Sequence, residues 1–151
     1  MKNKHFVTGL TISTMVLLTL VLTLNIAFAE DKMTWDKTFP LSDKVIHEKV
    51  TYPNRYGITV SADMYKPKDF DKSKKYAALV IGTPYGGVKE QGAGIYAQTM
   101  AERGFVAIAF DESFNGESGG KPRHVSSPDI FADDFSAGVD FLGTRPYVDR
   151  N

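Results

Sequence analysis

The chain contains no cysteine. Disulfides, thiolate zinc centres and a cysteine nucleophile are thereby excluded within it, though an exported protein need not carry disulfides. It has no net formal charge, because 18 basic side chains balance 18 acidic ones. No basic run or stripe disturbs that balance, so no nucleic-acid partner is expected. Internal repeats and low-complexity tracts are absent. Histidine is scarce: His5, His47 and His124 are the whole supply. What remains is ordinary globular material, 42% hydrophobic and 24% charged over 151 residues, which favours one domain with a modest core.

The N-terminus has a character of its own. Lys2 and Lys4 precede an apolar run from about residue 7 to residue 28. The run closes on Ala27-Phe28-Ala29 and turns polar at Glu30-Asp31-Lys32. That order of charge, apolar stretch and small-residue site is a secretory signal peptide. An uncleaved membrane anchor is the rival, since about 20 apolar residues can span a bilayer. Five threonines in the stretch (Thr8, Thr11, Thr14, Thr19, Thr23) and the small-residue site favour cleavage. With no cysteine after the run, a lipoprotein anchor is excluded. The expected division is therefore residues 1–29 as signal and residues 30–151 as the folded part, periplasmic or secreted. The membrane enters only through the signal or an uncleaved anchor.

After a polar lead-in with Trp35 and Phe39 as isolated anchors, two alternating stretches follow, Val45 to Tyr52 and Gly57 to Tyr65. Pro53-Asn54-Arg55 lies between them, which predicts an antiparallel hairpin. Ile58, Val60, Ala62 and Met64 share one face. Tyr76 to Ile81 (YAALVI) and Phe105 to Phe110 (FVAIAF) are instead continuously apolar, as parallel strands covered on both faces must be. Between them a helix is predicted from about Lys89 to Arg103, with Ile95, Met100 and Ala101 toward the sheet and Gly104 ending it. Strand, helix, strand is the βαβ unit of a right-handed crossover. A last helix opens at Ser127 as cap, Pro128 in its first position and Asp129 at its positive end. Phe131, Phe135, Gly138 and Leu142 recur along it at helical spacing. A further strand is expected to begin near Tyr147.

The order of these elements resembles the start of an α/β-hydrolase. Gly82-Thr83-Pro84-Tyr85-Gly86-Gly87 sits where that fold keeps its oxyanion loop. Gly104 to Asp111, followed by Gly116-Glu117-Ser118-Gly119-Gly120, is similar to the fourth strand and following turn of the dienelactone-hydrolase and acyl-peptidase-like branches. Asp133 to Leu142, then Val148-Asp149, resembles the helix before the nucleophile strand. The resemblance implies an α/β fold of which this chain holds the N-terminal part, an antiparallel hairpin leading into a parallel βαβ unit. It implies hydrolysis of an ester or amide bond of a small molecule by a serine or cysteine nucleophile, with no cofactor and no metal.

Ser118 sits in a G-x-S-x-G match, but its context is wrong for a nucleophile. A nucleophile elbow places serine directly between a buried strand and a helix. Here residues 112–115 intervene, and Gly-Gly-Lys-Pro-Arg-His follows. The triad order in this fold is serine, acid, histidine. His124 is the one histidine after Ser118, and no suitable acid lies between them. The glycines of that stretch are expected to be loop residues needing positive φ. The site candidates are Tyr85 and Gly86, as oxyanion donors: backbone N–H groups from a glycine-rich turn and the hydroxyl of the Pro84-Tyr85 pair. The alternative is a plain turn with Tyr85 packed under the next loop. A phosphate loop is not supported, because no Gly-Lys-Ser/Thr follows. Asp111 is expected to hold the turn after its strand. Asp133, Asp134 and Asp140 are expected on a solvated helix face, and His124 in solvent.

The nucleophile, triad acid and triad histidine are thus expected beyond Asn151, which would leave this chain inactive by itself. A complementing C-terminal half, a non-catalytic fragment and a small binding module stand as alternatives.

Overall fold

The computed structural model describes residues 35–151. The signal-peptide reading and the start of the lead-in lie outside the described residues. Four strands and two helices follow in chain order: β1 (Val45–Pro53), β2 (Thr59–Pro67), β3 (Ala78–Ile81), α1 (Gly92–Glu102), β4 (Val106–Phe110) and α2 (Pro128–Gly143).

The expected hairpin is present. β1 and β2 pair antiparallel from Val45 opposite Pro67 to Pro53 opposite Thr59. Asn54 builds the turn, its Oδ1 accepting from the amides of Tyr56 and Ile58 at 3.0 and 2.9 Å. The sheet order is β1-β2-β4-β3. β4 lies antiparallel to β2 and parallel to β3, so it is an inner strand of the sheet. All five of its residues are buried, which is why it reads as an unbroken apolar run.

Alternation along the strands separates two layers. Val60, Ala62 and Met64 of β2 join Val106, Ile108 and Phe110 of β4, with Tyr52, Leu142 and Val148, in one core cluster. This layer is closed by α2. Ser61, Asp63 and Tyr65 point to the other face, toward α1. Burying those nine core side chains supplies the driving force at about 1.5–3 kcal/mol for each large apolar group.

The helix α1 departs from expectation. It starts at Gly92, not Lys89, because residues 88–91 form a turn closed by Gln91 N–H donating to the Val88 carbonyl at 3.1 Å. Its buried face is Ala93, Gly94, Ala97, Gln98 and Ala101, while Ile95 is exposed. Small residues let the helix lie close on the sheet. A Cβ on Gly94 would meet the Phe39 ring at 3.0 Å, so Phe39 is a packed residue and not an isolated anchor. Gly104 ends the helix region as expected, at φ +96°.

In α2, Ser127 occupies the cap position but its side chain makes no capping bond. Gly138 and Leu142 face the core; Phe135 is 40% exposed. It stands edge-on to Phe110 at 4.9 Å between centroids. After α2 the chain returns to the sheet: Tyr76 N–H donates to the Tyr147 carbonyl at 2.8 Å and Asp149 N–H to the Tyr76 carbonyl at 2.9 Å. This isolated parallel bridge between Tyr76 and Val148 lies where a further strand is expected to begin. No helix among the described residues is long and apolar enough to cross a membrane.

Candidate functional site

The loop after β3 leaves the carboxyl edge of the parallel strands, where sites gather in open α/β sheets. Gly82 opens it. A Cβ there would lie 2.3 Å from the Phe135 ring, so this glycine answers to packing by α2. Pro84 to Gly87 is a tight turn in which Gly87 N–H donates to the Pro84 carbonyl at 2.7 Å. Gly86, third in the turn, has φ +77°, the left-handed value that a type II turn asks of glycine. The turn lifts Tyr85 into solvent, 73% exposed; it is not packed beneath the next loop. Thr83 is buried, and its Oγ1 has no hydrogen-bond partner. Tyr85 and Gly86 therefore sit together on one projecting turn at the sheet edge. The Gly87 amide is already used within it.

The loop is held from below by charge. Lys89 is fully buried. Its backbone N–H donates to Asp111 Oδ1 at 2.8 Å, and its Nζ to Asp111 Oδ2 at 2.9 Å. The ammonium also reaches Glu117 Oε2 at 2.8 Å and Glu90 Oε1. Burial alone would depress this lysine, but hydrogen bonds to Glu117, Glu90 and Asp111 outweigh it and raise the pKa above the ordinary lysine value. Glu117 is held down at about 2 by hydrogen bonds from Lys49 and Lys89.

Asp111 has the structural role expected of it. Besides Lys89 it accepts from the Glu117 amide at 2.9 Å, so its carboxylate organises the turn after β4. Gly116 packs on that carboxylate: its φ is +49°, and a Cβ would lie 2.3 Å from Asp111 Cγ. Ser118 is 2% exposed. Its Oγ donates to the Asp111 carbonyl at 2.6 Å and accepts from the Ser61 amide at 2.8 Å. Both hydroxyl functions are spent on backbone groups, so the G-x-S-x-G match is a loop and not a nucleophile elbow. His124 is exposed on the same loop.

Asp133 and Asp134 are not on a solvated face; only Asp140 is. Asp134 is fully buried and accepts from Asn54 Nδ2 at 2.8 Å, Ser113 N–H at 2.7 Å and Ser113 Oγ at 2.8 Å. Asp133 pairs with Arg55 Nε at 2.6 Å. The physical reason is the hairpin turn. It carries Asn54 and Arg55 onto the first turns of α2, a long-range contact that helical spacing does not encode.

A second charged group lies under the hairpin. Asp63, fully buried, is 3.0 Å from His47 Nε2 and 2.9 Å from Lys37 Nζ. Burial would raise its pKa, but hydrogen bonds from His47 and Lys37 overcome that and lower it. Sequence reading found neither this group nor Lys89. Their one signal is a charged residue inside an otherwise apolar or glycine-rich stretch. Asp36, Glu90 and Glu117 also bring carboxylate oxygens within 4.8 Å of one another. Each already pairs with Lys37 or Lys89.

No family model matches the chain. It is 63% identical over 116 residues to the uncharacterized protein PA2218 of Pseudomonas aeruginosa, covering 77% of this chain and 31% of that protein. It is 48% identical over 108 residues to the uncharacterized protein YcjY of Escherichia coli, covering 70% of this chain and 35% of that one. The chain thus spans about a third of the length of these relatives. The crystal structure of PA2218 superposes with a TM-score of 0.73 at 59% identity, over 80% of this chain and 37% of that one. The α/β hydrolase GrgF from Penicillium sp. sh18 superposes with a TM-score of 0.61 at 20% identity, over 69% of this chain and 34% of that one. The mixed sheet and its two helices are a partial α/β-hydrolase fold.

Proposed function

We propose, from this partial α/β-hydrolase fold, that residues 30–151 are the front part of an exported hydrolase of the dienelactone-hydrolase and acyl-peptidase-like kind. The reaction is hydrolysis of an ester or amide bond in a small molecule. The single observation that carries the reading is the turn at 84–87, which presents Tyr85 and Gly86 in solvent at the carboxyl edge of β3. An acyl-transfer site needs donors aimed at the oxygen on which negative charge develops. The Tyr85 hydroxyl and the backbone N–H groups of Tyr85 and Gly86 are of that type. Residues outside this chain supply the nucleophile, the acid and the histidine. Ser118 is not the nucleophile, since its hydroxyl is bound within the loop. The chain by itself is then inactive in this mechanism.

The test joins this chain to the part of the Pseudomonas relative that it does not match and assays the product on p-nitrophenyl acyl esters. Activity is expected from the joined protein and not from either part. Tyr85→Phe should then lower kcat by about two to three orders of magnitude, the usual effect of removing one oxyanion donor. A joined, folded protein without esterase or amidase activity overturns the reading.

A small binding module is the second reading. The feature in its favour is a groove of about 600 Å³ beside β3, lined by Leu79, Val80, Val139, Leu142 and Val148 among others. A cooperative melt of the chain alone, without aggregation, would favour the module.

A further inference from the structure

We infer that Lys89 is the positioning residue of the turn that carries Tyr85 and Gly86. This rests on the reading of that turn as the oxyanion loop. A turn that projects from the sheet edge needs an anchor at each end. The first is Gly82, locked under the Phe135 ring. The second is Lys89, four residues after Tyr85, which grips one carboxylate twice, through its amide and through its ammonium. That carboxylate belongs to Asp111, the residue that directly follows β4 and also binds the Glu117 amide. One fully buried ion pair therefore ties the loop at 82–91 to the loop at 111–120 and both to β4.

A buried pair of this kind is a poor source of net stability, because the desolvation cost offsets most of the attraction. What it does supply is direction. The lysine is satisfied in one place only, between Asp111, Glu117 and Glu90. An apolar side chain in its position would fill space without choosing a geometry for the turn. Lys49, which holds the exposed side of Glu117 at 2.8 Å, extends the clamp to β1.

The test is backbone ¹⁵N relaxation on the whole chain and on Lys89→Met, Lys89→Arg and Asp111→Asn. In the native chain the amides of residues 85–88 are expected at rigid-backbone order parameters of about 0.85, and in Lys89→Met below about 0.6. β2 and β4 should stay rigid in both. Lys89→Arg, which keeps the charge, should recover most of the loss. If Lys89→Met does not fold, Asp111→Asn carries the test; it keeps the shape of the site but removes the charge Lys89 grips, and residues 85–88 should loosen there too. Rigid residues 85–88 in the folded variants, loosening shared equally with β2 and β4, or a loop already mobile in the native chain would each overturn the clamp. The result is separable from the hydrolase reading. A loosened loop with no activity in the joined protein keeps the clamp and removes the chemistry, while a rigid loop with activity does the reverse.

Discussion

Ser118 shows how one hydroxyl can be committed to structure. Its Oγ joins the end of β4 to the amide of Ser61 in β2, inside a site that water does not reach. Replacing it with alanine strands the Ser61 N–H and removes a partner of the Asp111 carbonyl. Ser118→Ala should therefore destabilise the chain by about 1–3 kcal/mol, the usual cost of an unsatisfied buried group. Urea unfolding should show a lower midpoint at unchanged slope. A Ser118→Ala chain of native stability would mean that the hydroxyl is not bound as described. Loss of the joined protein's esterase activity on Ser118→Ala, at native stability, would restore it as a nucleophile.

At the level of the element, α2 is docked by its acidic residues as much as by its apolar stripe. Asp134 holds three donors from two other segments, the hairpin turn and the loop after β4. Asp134→Ala would leave the Ser113 N–H and hydroxyl without that acceptor and take from Asn54 Nδ2 one of its two, the other being Ser113 Oγ at 3.2 Å. A loss of about 3 kcal/mol or more is expected, at the severe end for a single substitution. Asp140→Ala, on the exposed side of the same helix, should stay within about 0.5 kcal/mol. Thermal melts of the two variants side by side check this, and equal effects would contradict the docking role. The helix α1 makes the complementary point. It has no bulky apolar stripe, and its alanines and Gly94 bring it close enough for Phe39 to pack on it.

Across the whole molecule the paired carboxylates make stability depend on acid. Glu117 has a folded pKa of about 2 against an ordinary 4.5, and Asp36 and Asp63 are also lowered. A carboxylate whose pKa is depressed by folding contributes stability that is complete above its unfolded value and is lost as pH falls through the folded one. The loss should thus begin below about 4.5 and continue toward about 2. Glu112 acts in the opposite sense: burial, with the nearby Asp134 charge, raises its pKa, so acid relieves a penalty there. Asp71 is lowered too, by hydrogen bonds from Ser73, so four depressed carboxylates against one raised predict a net loss. Melting temperatures between pH 6 and pH 2.5 should fall, and Glu117→Gln should flatten the lower part of that curve. A curve unchanged by Glu117→Gln would show that its two lysines do not hold it in solution.

Much of this architecture was legible in the residues. The hairpin follows from alternation broken by Pro53-Asn54-Arg55, because a half-buried strand must alternate. β4 follows from its unbroken apolar run, because a strand covered on both faces need not alternate; β3 shows the same run, though its four residues are only half-buried. Gly116 and Gly86 could be read as loop glycines, and both have positive φ. Tyr85 was legible as a candidate from its place after β3. Periodicity is a local property, and it was enough to place the strands; chain context and triad order were enough to reject Ser118 as an elbow. Lys89, Asp63 and Asp134 were decided only by the tertiary structure. Each looks solvated in sequence, since a charge is normally cheaper in water. Each is buried because a partner many residues away, Asp111, His47 or Asn54, meets it when the sheet closes. The pairing energy exists only in the folded chain, so no window of the sequence contains it.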